Sequence, residues 1–233
     1  MSLTAWLFPP SCVLCRGALT EETSDGLCAD CRALMKAERG RRLYRVLPNL
    51  WVIAAASYGG AVREAVIRVK KNAICAAAPC FGELVYQAYL TQKPERMPAL
   101  VTFVPSSSVR NRKRGFTLTE EMARRVSERL GIPMRPTLRQ RALSGKQAYQ
   151  RGSRREKHAE DSIFLMPDLD LSGQTVLLID DIMASGSTIN HSAGLLLQAG
   201  ASEVVGLVLA KSRPGRGVNQ EKRHILKRSK QAG

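Results

Sequence analysis

Along the central part of the chain, short continuous apolar runs alternate with stretches whose apolar residues recur every three or four positions. Trp51 to Tyr58 reads as a strand, Gly59-Gly60 as a turn and Ala61 to Lys71 as a helix. Ala73 to Thr91 reads as a second helix that Pro79 breaks or restarts. Leu100 to Val104 is an apolar run stopped by Pro105, as a buried strand would be, and a polar, basic loop follows from Ser106 to Gly115. Leu118, Met122, Val126 and Leu130 then share one face of a helix closed by Gly131. Ser162 to Met166, Thr175 to Ile179 and Glu203 to Ala210 complete the strands, and Ser187 to Gln198, followed by Gly200, the helices. Strand and helix in alternation predict an α/β architecture with a mainly parallel sheet flanked by helices.

The first 45 residues break this rhythm. They hold too few large apolar side chains to fold on a core of their own, but they contain Cys12-Val13-Leu14-Cys15 and Cys28-Ala29-Asp30-Cys31, with twelve residues between the pairs. Each pair can present two thiolates from one tight turn, and two such turns complete a tetrahedron around zinc. A redox pair needs only one Cys-x-x-Cys, in a βαβ setting. The spacing therefore predicts a structural zinc site of Cys12, Cys15, Cys28 and Cys31, whose metal contributes much of the module's folding free energy. Cys75 and Cys80 have no such partners and are expected as small core residues of an Ala-rich helix. The expected organisation is a zinc ribbon over residues 1–45, joined through a basic linker at Arg39 to Arg45, an α/β domain over 46–211 and a basic, disordered tail over 212–233.

Charge adds a partner class. The net charge is +16, and it is concentrated: residues 110–157 carry fifteen Lys or Arg against four Glu, and residues 211–233 carry eight against one. Such a field attracts polyanions, and nucleic acid is the first to consider; a solvated basic surface is the plain alternative. Aromatic residues make up only 5% of the chain, fewer than single-strand binders use for base stacking. No apolar run reaches membrane-spanning length, and residues 1–10 lack the charged start and long apolar core of a signal peptide. A cytoplasmic protein without membrane insertion is expected, in a compartment where paired cysteines favour metal over disulfide.

The chemistry concentrates at Val176-Leu177-Leu178-Ile179-Asp180-Asp181-Ile182-Met183-Ala184-Ser185-Gly186-Ser187-Thr188. A buried strand ends in two acids, and a loop of small residues opens a helix. Backbone N–H groups at such a helix start have no partner within the helix, and the helix dipole adds positive potential. Gly186 permits close backbone approach, and the hydroxyls of Ser185, Ser187 and Thr188 add donors, so Ala184 to Thr188 form a phosphate cradle. Asp180 and Asp181 would repel a bare phosphate and suit sugar hydroxyls or a magnesium ion arriving with the ligand. A cluster of helix-capping residues is the alternative. The segment is neither a Walker loop nor a dinucleotide fingerprint.

This segment resembles the PRPP-binding motif of type I phosphoribosyltransferases, and the chain as a whole, up to about Ala210, resembles the ComF family. The resemblance rests on the double Cys-x-x-Cys ribbon, Tyr58-Gly59-Gly60 followed by a helix ending in Lys70, Val104-Pro105, Arg112-Lys113-Arg114-Gly115-Phe116, Gln147 with Arg154, and the loop itself. It implies a type I phosphoribosyltransferase-like fold, ribose hydroxyls at Asp180 and Asp181, a 5′-phosphate on Ala184 to Thr188, and a pyrophosphate or DNA contact at Arg110, Arg112, Lys113 and Arg114. Cations on that loop suit a leaving group that develops negative charge. Two positions depart from the family pattern: Phe116-Thr117-Leu118 stands for Phe-Asn-Gln, and Ala184-Ser185-Gly186 for Thr-Thr-Gly. The implied function is binding of a phosphorylated ribose, PRPP or a nucleotide, and of single-stranded DNA during natural transformation, with competence-machinery proteins as partners. The alternative is an active PRPP-dependent phosphoribosyltransferase of nucleotide metabolism; no catalytic residue is assigned. A third possibility, a scaffold whose ribbon and tail engage other proteins, has no positive sign in the sequence.

Overall fold

The computed structural model describes residues 11–12, 15–19, 27–37, 43–72, 78–92, 97–106, 117–141 and 162–212. Five helices and seven strands are found among them: α1 Ala29–Ala37, β1 Leu43–Leu47, β2 Leu50–Ser57, α2 Gly60–Asn72, α3 Ala78–Thr91, β3 Leu100–Phe103, α4 Leu118–Leu130, β4 Leu138–Gln140, β5 Ile163–Leu165, β6 Thr175–Met183, α5 Ser187–Gln198 and β7 Glu203–Lys211.

The main sheet has the order β1-β2-β7-β6-β3. Pairs β2–β7, β7–β6 and β6–β3 are parallel, and β1 adds an antiparallel edge. Through the middle of the strands, side chains alternate across it. Leu177, Ile179, Val205, Leu207 and Leu209 join one buried cluster with Val62, Val66 and Val69 of α2, Phe81 and Val85 of α3, and Met122 and Val126 of α4. Val176, Leu178, Val204 and Val208 join the other with Ile189, Ala193 and Leu196 of α5. Parallel strands covered on both faces are continuous apolar runs for this reason. The architecture is therefore the expected one, a mainly parallel sheet between helical layers. The second, smaller sheet pairs β4 with β5 antiparallel.

Local chemistry accounts for the element ends. Gly131 closes α4 in the left-handed region at φ 68°, where its N–H donates to Ser127 O. Pro79 lies in the first turn of α3, where its missing N–H costs nothing, so it starts the helix. Three observations differ from the sequence expectation. The last three residues of the expected basic linker, Leu43 to Arg45, belong to β1, which uses the backbone groups of β2's free edge. The strand expected to end at Ile179 continues through both acids to Met183, because β7 runs alongside it as far as Lys211. Two short elements, α1 and β4, were not anticipated. Cys80 is buried as expected; Cys75 and residues 213–233 lie outside the described residues. No helix among the described residues is long and apolar enough to cross a membrane.

Candidate functional site

The carboxyl ends of the parallel strands lie level: Ser57 is opposite Lys211, and Lys211 opposite Met183. Ligand sites of open parallel sheets form at this edge, where loops leave the strands for the helices. Here β6 passes through Ala184, Ser185 and Gly186 into α5.

Gly186 is the N-cap of α5, at φ 89° and ψ 0°, a conformation that glycine adopts without strain. It has no side chain with which to cap the helix, and α5 has no acid in its first turn. Ser185 satisfies one donor, its Oγ lying 3.3 Å from the Ser187 N–H and 3.1 Å from Ser187 Oγ. A twelve-residue helix thus begins at the rim of a pocket of about 260 Å³, open mouth included, lined by Asp180, Ile182 to Ser185, Gly186, Ser187, Thr188 and Ile189. Among the described residues its lining contains no Lys or Arg. Positive potential inside it comes from backbone N–H groups and the helix dipole, the arrangement that receives phosphate groups.

The two acids have different surroundings. Strand alternation sends Asp180 toward the α5 side, into the pocket lining, where it is buried. Its Oδ1 accepts a 2.8 Å hydrogen bond from the Asp181 N–H. Burial, then the charge of Asp181, pushes the Asp180 carboxyl up to about 8, against the opposing effects of that N–H and of Lys70. Asp181 lies on the α2 side, and its carboxylate is ion-paired with Lys70 in the last turn of α2. That pair, between residues far apart in sequence, is a site feature that hydropathy patterning had no means of showing.

Of the residues expected at the ligand, the structure brings Asp180, Ala184, Ser185, Gly186, Ser187 and Thr188 around one pocket, with Asp181 adjoining it. Arg110, Arg112, Lys113 and Arg114, and likewise Gln147 and Arg154, lie outside the described residues. At the first departure from the family pattern, Leu118 is buried in the core below α4. Thr119, the next residue, donates from Oγ1 to Val104 O at 3.0 Å, so this helix start is anchored to the end of β3.

The four ribbon cysteines meet in space. Their sulfurs all lie within 4.8 Å of one another, with Cys15 and Cys28 Sγ 3.6 Å apart. Zinc–sulfur bonds of about 2.3 Å in a tetrahedron place sulfurs about 3.8 Å apart, so the donor set fits zinc in kind, number and spacing. Around the first pair, Arg16 N–H donates to Cys12 O at 2.8 Å and Cys12 N–H to Gly17 O at 2.7 Å. Gly17 N–H points at Cys15 Sγ, 3.4 Å away. Cys28 precedes α1 and Cys31 lies on its first turn. Burial and the three neighbouring thiols push the Cys31 thiol far above its ordinary value, a cost that a bound cation reverses. Cys12, Leu27 and Cys31 belong to the same buried cluster as α2, α3 and α4.

Comparison with known proteins agrees with both parts. Residues 3–42 match the double zinc ribbon domain. Among curated proteins, the chain is 24% identical over 199 residues to the DNA utilization protein YhgH of Salmonella typhimurium, covering 83% of this chain and 86% of that one. It is 50% identical over 38 residues to the ribose-phosphate pyrophosphokinase of Thermoplasma acidophilum, a match spanning 16% of this chain and only 13% of that enzyme. Among solved structures, the purine phosphoribosyltransferase from Pyrococcus horikoshii is 19% identical, with a TM-score of 0.39 over 59% of this chain and 78% of that one. The glutamine PRPP amidotransferase from B. subtilis is 22% identical, with a TM-score of 0.37 over 56% and 25%. Residues 112–229, half of the sequence, match the phosphoribosyl transferase domain, and the chain belongs to that family, with a double zinc ribbon ahead of it.

Proposed function

We propose that this chain is a cytoplasmic ComF-family protein that binds a phosphorylated ribose, PRPP or a nucleotide, at Asp180 to Thr188, and single-stranded DNA on its basic surface, in DNA uptake. The observation that carries the ligand assignment is the start of α5: a helix N-terminus whose N-cap glycine, at positive φ, offers no capping side chain shares one pocket with a buried acid. Ala184 to Thr188 receive the 5′-phosphate, and Asp180 and Asp181 the ribose hydroxyls. The DNA assignment is supported by the net charge of +16 and by the likeness to YhgH, which runs through most of the chain. Competence-machinery proteins are the protein partners this role calls for.

The acids do not converge on one point, since Asp181 is held by Lys70. Magnesium would therefore arrive with the PRPP-type ligand, and Arg110, Arg112, Lys113 and Arg114 are assigned to its pyrophosphate or to DNA. A second reading, an active PRPP-dependent phosphoribosyltransferase, is favoured by the match over residues 112–229 and by the cradle at Gly186. Calorimetric titration with PRPP and magnesium, repeated with single-stranded DNA, separates them. Binding of both ligands without turnover of PRPP in the presence of purine or pyrimidine bases supports the first reading. Turnover with one base, and no DNA binding at low salt, replaces it with the second.

A further inference from the structure

Among the described residues, Lys70 acts on both acids of the site: it is ion-paired with Asp181 and favours the charged form of Asp180. Its side chain is 28% exposed and that of Asp181 18%, so the pair is partly withdrawn from water, where charges act more strongly than at a surface. Among the described residues, the pocket lining itself contributes no Lys or Arg. A phosphate entering it meets Asp180, with Asp181 adjoining, and among the described residues the compensating positive potential comes from the start of α5 and from Lys70.

From this arrangement we infer that Lys70 is a positioning residue for the phosphate site: by pairing with Asp181 it cancels the charge of that carboxylate and lets the loop accept a phosphate group without a divalent cation. The inference rests on the assignment of Asp180 to Thr188 as a phosphate site. It concerns a residue of α2 that is not among those lining the pocket and acts through the acid it pairs with. Lys70 also fixes Asp181 on the α2 side, which leaves the start of α5 to the phosphate.

Inorganic phosphate is the discriminating probe, because it responds to charge and not to sugar contacts. In EDTA the parent protein binds it, and magnesium changes the affinity less than about threefold. Lys70→Met weakens binding roughly tenfold, as expected for removal of one nearby charge in a medium between water and protein interior, and Lys70→Arg keeps it within about threefold. The double variant Lys70→Met/Asp181→Asn, which restores the charge balance, recovers the parent affinity. A purely structural ion pair predicts no such recovery. Lys70→Met binding phosphate as tightly as the parent, a double variant as weak as Lys70→Met, or a parent that binds only with magnesium each overturns the role of Lys70 and leaves the phosphate site standing. A folded parent that binds neither inorganic phosphate nor ribose 5-phosphate under either condition overturns the phosphate site and the role of Lys70 together.

Discussion

Gly206 of β7 lies directly beneath Ile189 of α5: a Cβ on this glycine would stand 2.6 Å from Ile189 Cδ1 and 3.1 Å from Val52 Cγ2. The helix that opens the phosphate loop rests on the sheet at this point, so the depth of α5 is set by the absence of one methyl group. Gly206→Ala is expected to destabilise the protein by about 1 to 3 kcal/mol, the ordinary cost of overfilling a packed core. It should also weaken ribose 5-phosphate binding, because lifting Ile189 displaces the start of the helix. Denaturant melts and titration of the same preparation test both, and an unchanged midpoint would show that Ile189 has room to rotate away.

The raised carboxyl of Asp180 gives stability a pH dependence opposite to that of an ordinary ion-paired aspartate. Between its usual value near 3.8 and about 8, the folded chain holds a proton there that the unfolded chain has released. Stability attributable to this group therefore falls as pH rises through that window and is fully present only below it. Asp180→Asn should raise the ligand-free Tm at pH 8.5 by several degrees, roughly 2 kcal/mol, less than the full shift at about 1.4 kcal/mol per unit because Lys70 and Asp181 can rearrange. The gain should vanish near pH 4, and the variant should bind ribose 5-phosphate worse. Equal Tm values for parent and variant across pH 4 to 8.5 would show that Asp180 is solvated.

Zinc analysis of freshly reduced, unchelated protein should give one zinc per chain. Cys28→Ser, which removes a thiolate from the four, should unfold the N-terminal module. Because Cys12, Leu27 and Cys31 pack into the cluster that also buries α2, α3 and α4, chelation should lower the melting temperature of the α/β domain as well. A metal-free protein with an unchanged melt would contradict both expectations.

How far the sequence could be read depended on how local each feature is. The ribbon cysteines and the loop at Gly186 were legible because their chemistry is written in consecutive residues, and α5 begins and ends where its capping residues place it. β1 was hidden because Arg41, Arg42 and Arg45 give it the look of a linker, and only the free edge of β2 makes it a strand. The full length of β6 was missed for a related reason. Asp180-Asp181 reads as the end of an apolar run, whereas pairing with β7 carries the strand on to Met183 and turns the two acids to opposite faces. The Lys70–Asp181 pair joins residues from separate halves of the domain, and only the folded sheet brings them together.

The proposed DNA surface predicts a strong salt dependence. Affinity for single-stranded DNA should fall steeply between about 50 and 200 mM salt, since each neutralised phosphate releases a condensed counterion. Charge reversal at Lys113 and Arg114 should weaken binding to all sequences alike and flatten the slope. Filter binding or fluorescence anisotropy over a salt series provides the measurement. Binding indifferent to salt, or absent at low ionic strength, would remove DNA from the proposed function.

Substitution of Gly186 tests the phosphate cradle most directly. At φ 89° a branched residue is strained whatever its surroundings, and a Cβ would come 2.9 Å from Met183 Cε. The methionine end is flexible and can move aside, but the backbone conformation cannot be kept. Gly186→Val should therefore turn the loop N–H groups away and abolish binding of both inorganic phosphate and ribose 5-phosphate. Thr188→Ala keeps the glycine and removes one hydroxyl, for which about 1 to 3 kcal/mol is typical when the acceptor is charged, so a loss of about 5- to 150-fold is the expected range. Asp181→Asn leaves the cradle whole and should weaken ribose 5-phosphate more than inorganic phosphate, because its assigned contact is to the sugar. Three variants thus separate backbone, hydroxyl and sugar contacts in one titration series. Should Gly186→Val fold and still bind phosphate like the parent, the anion lies elsewhere and Ser185 to Thr188 are no more than the start of a helix.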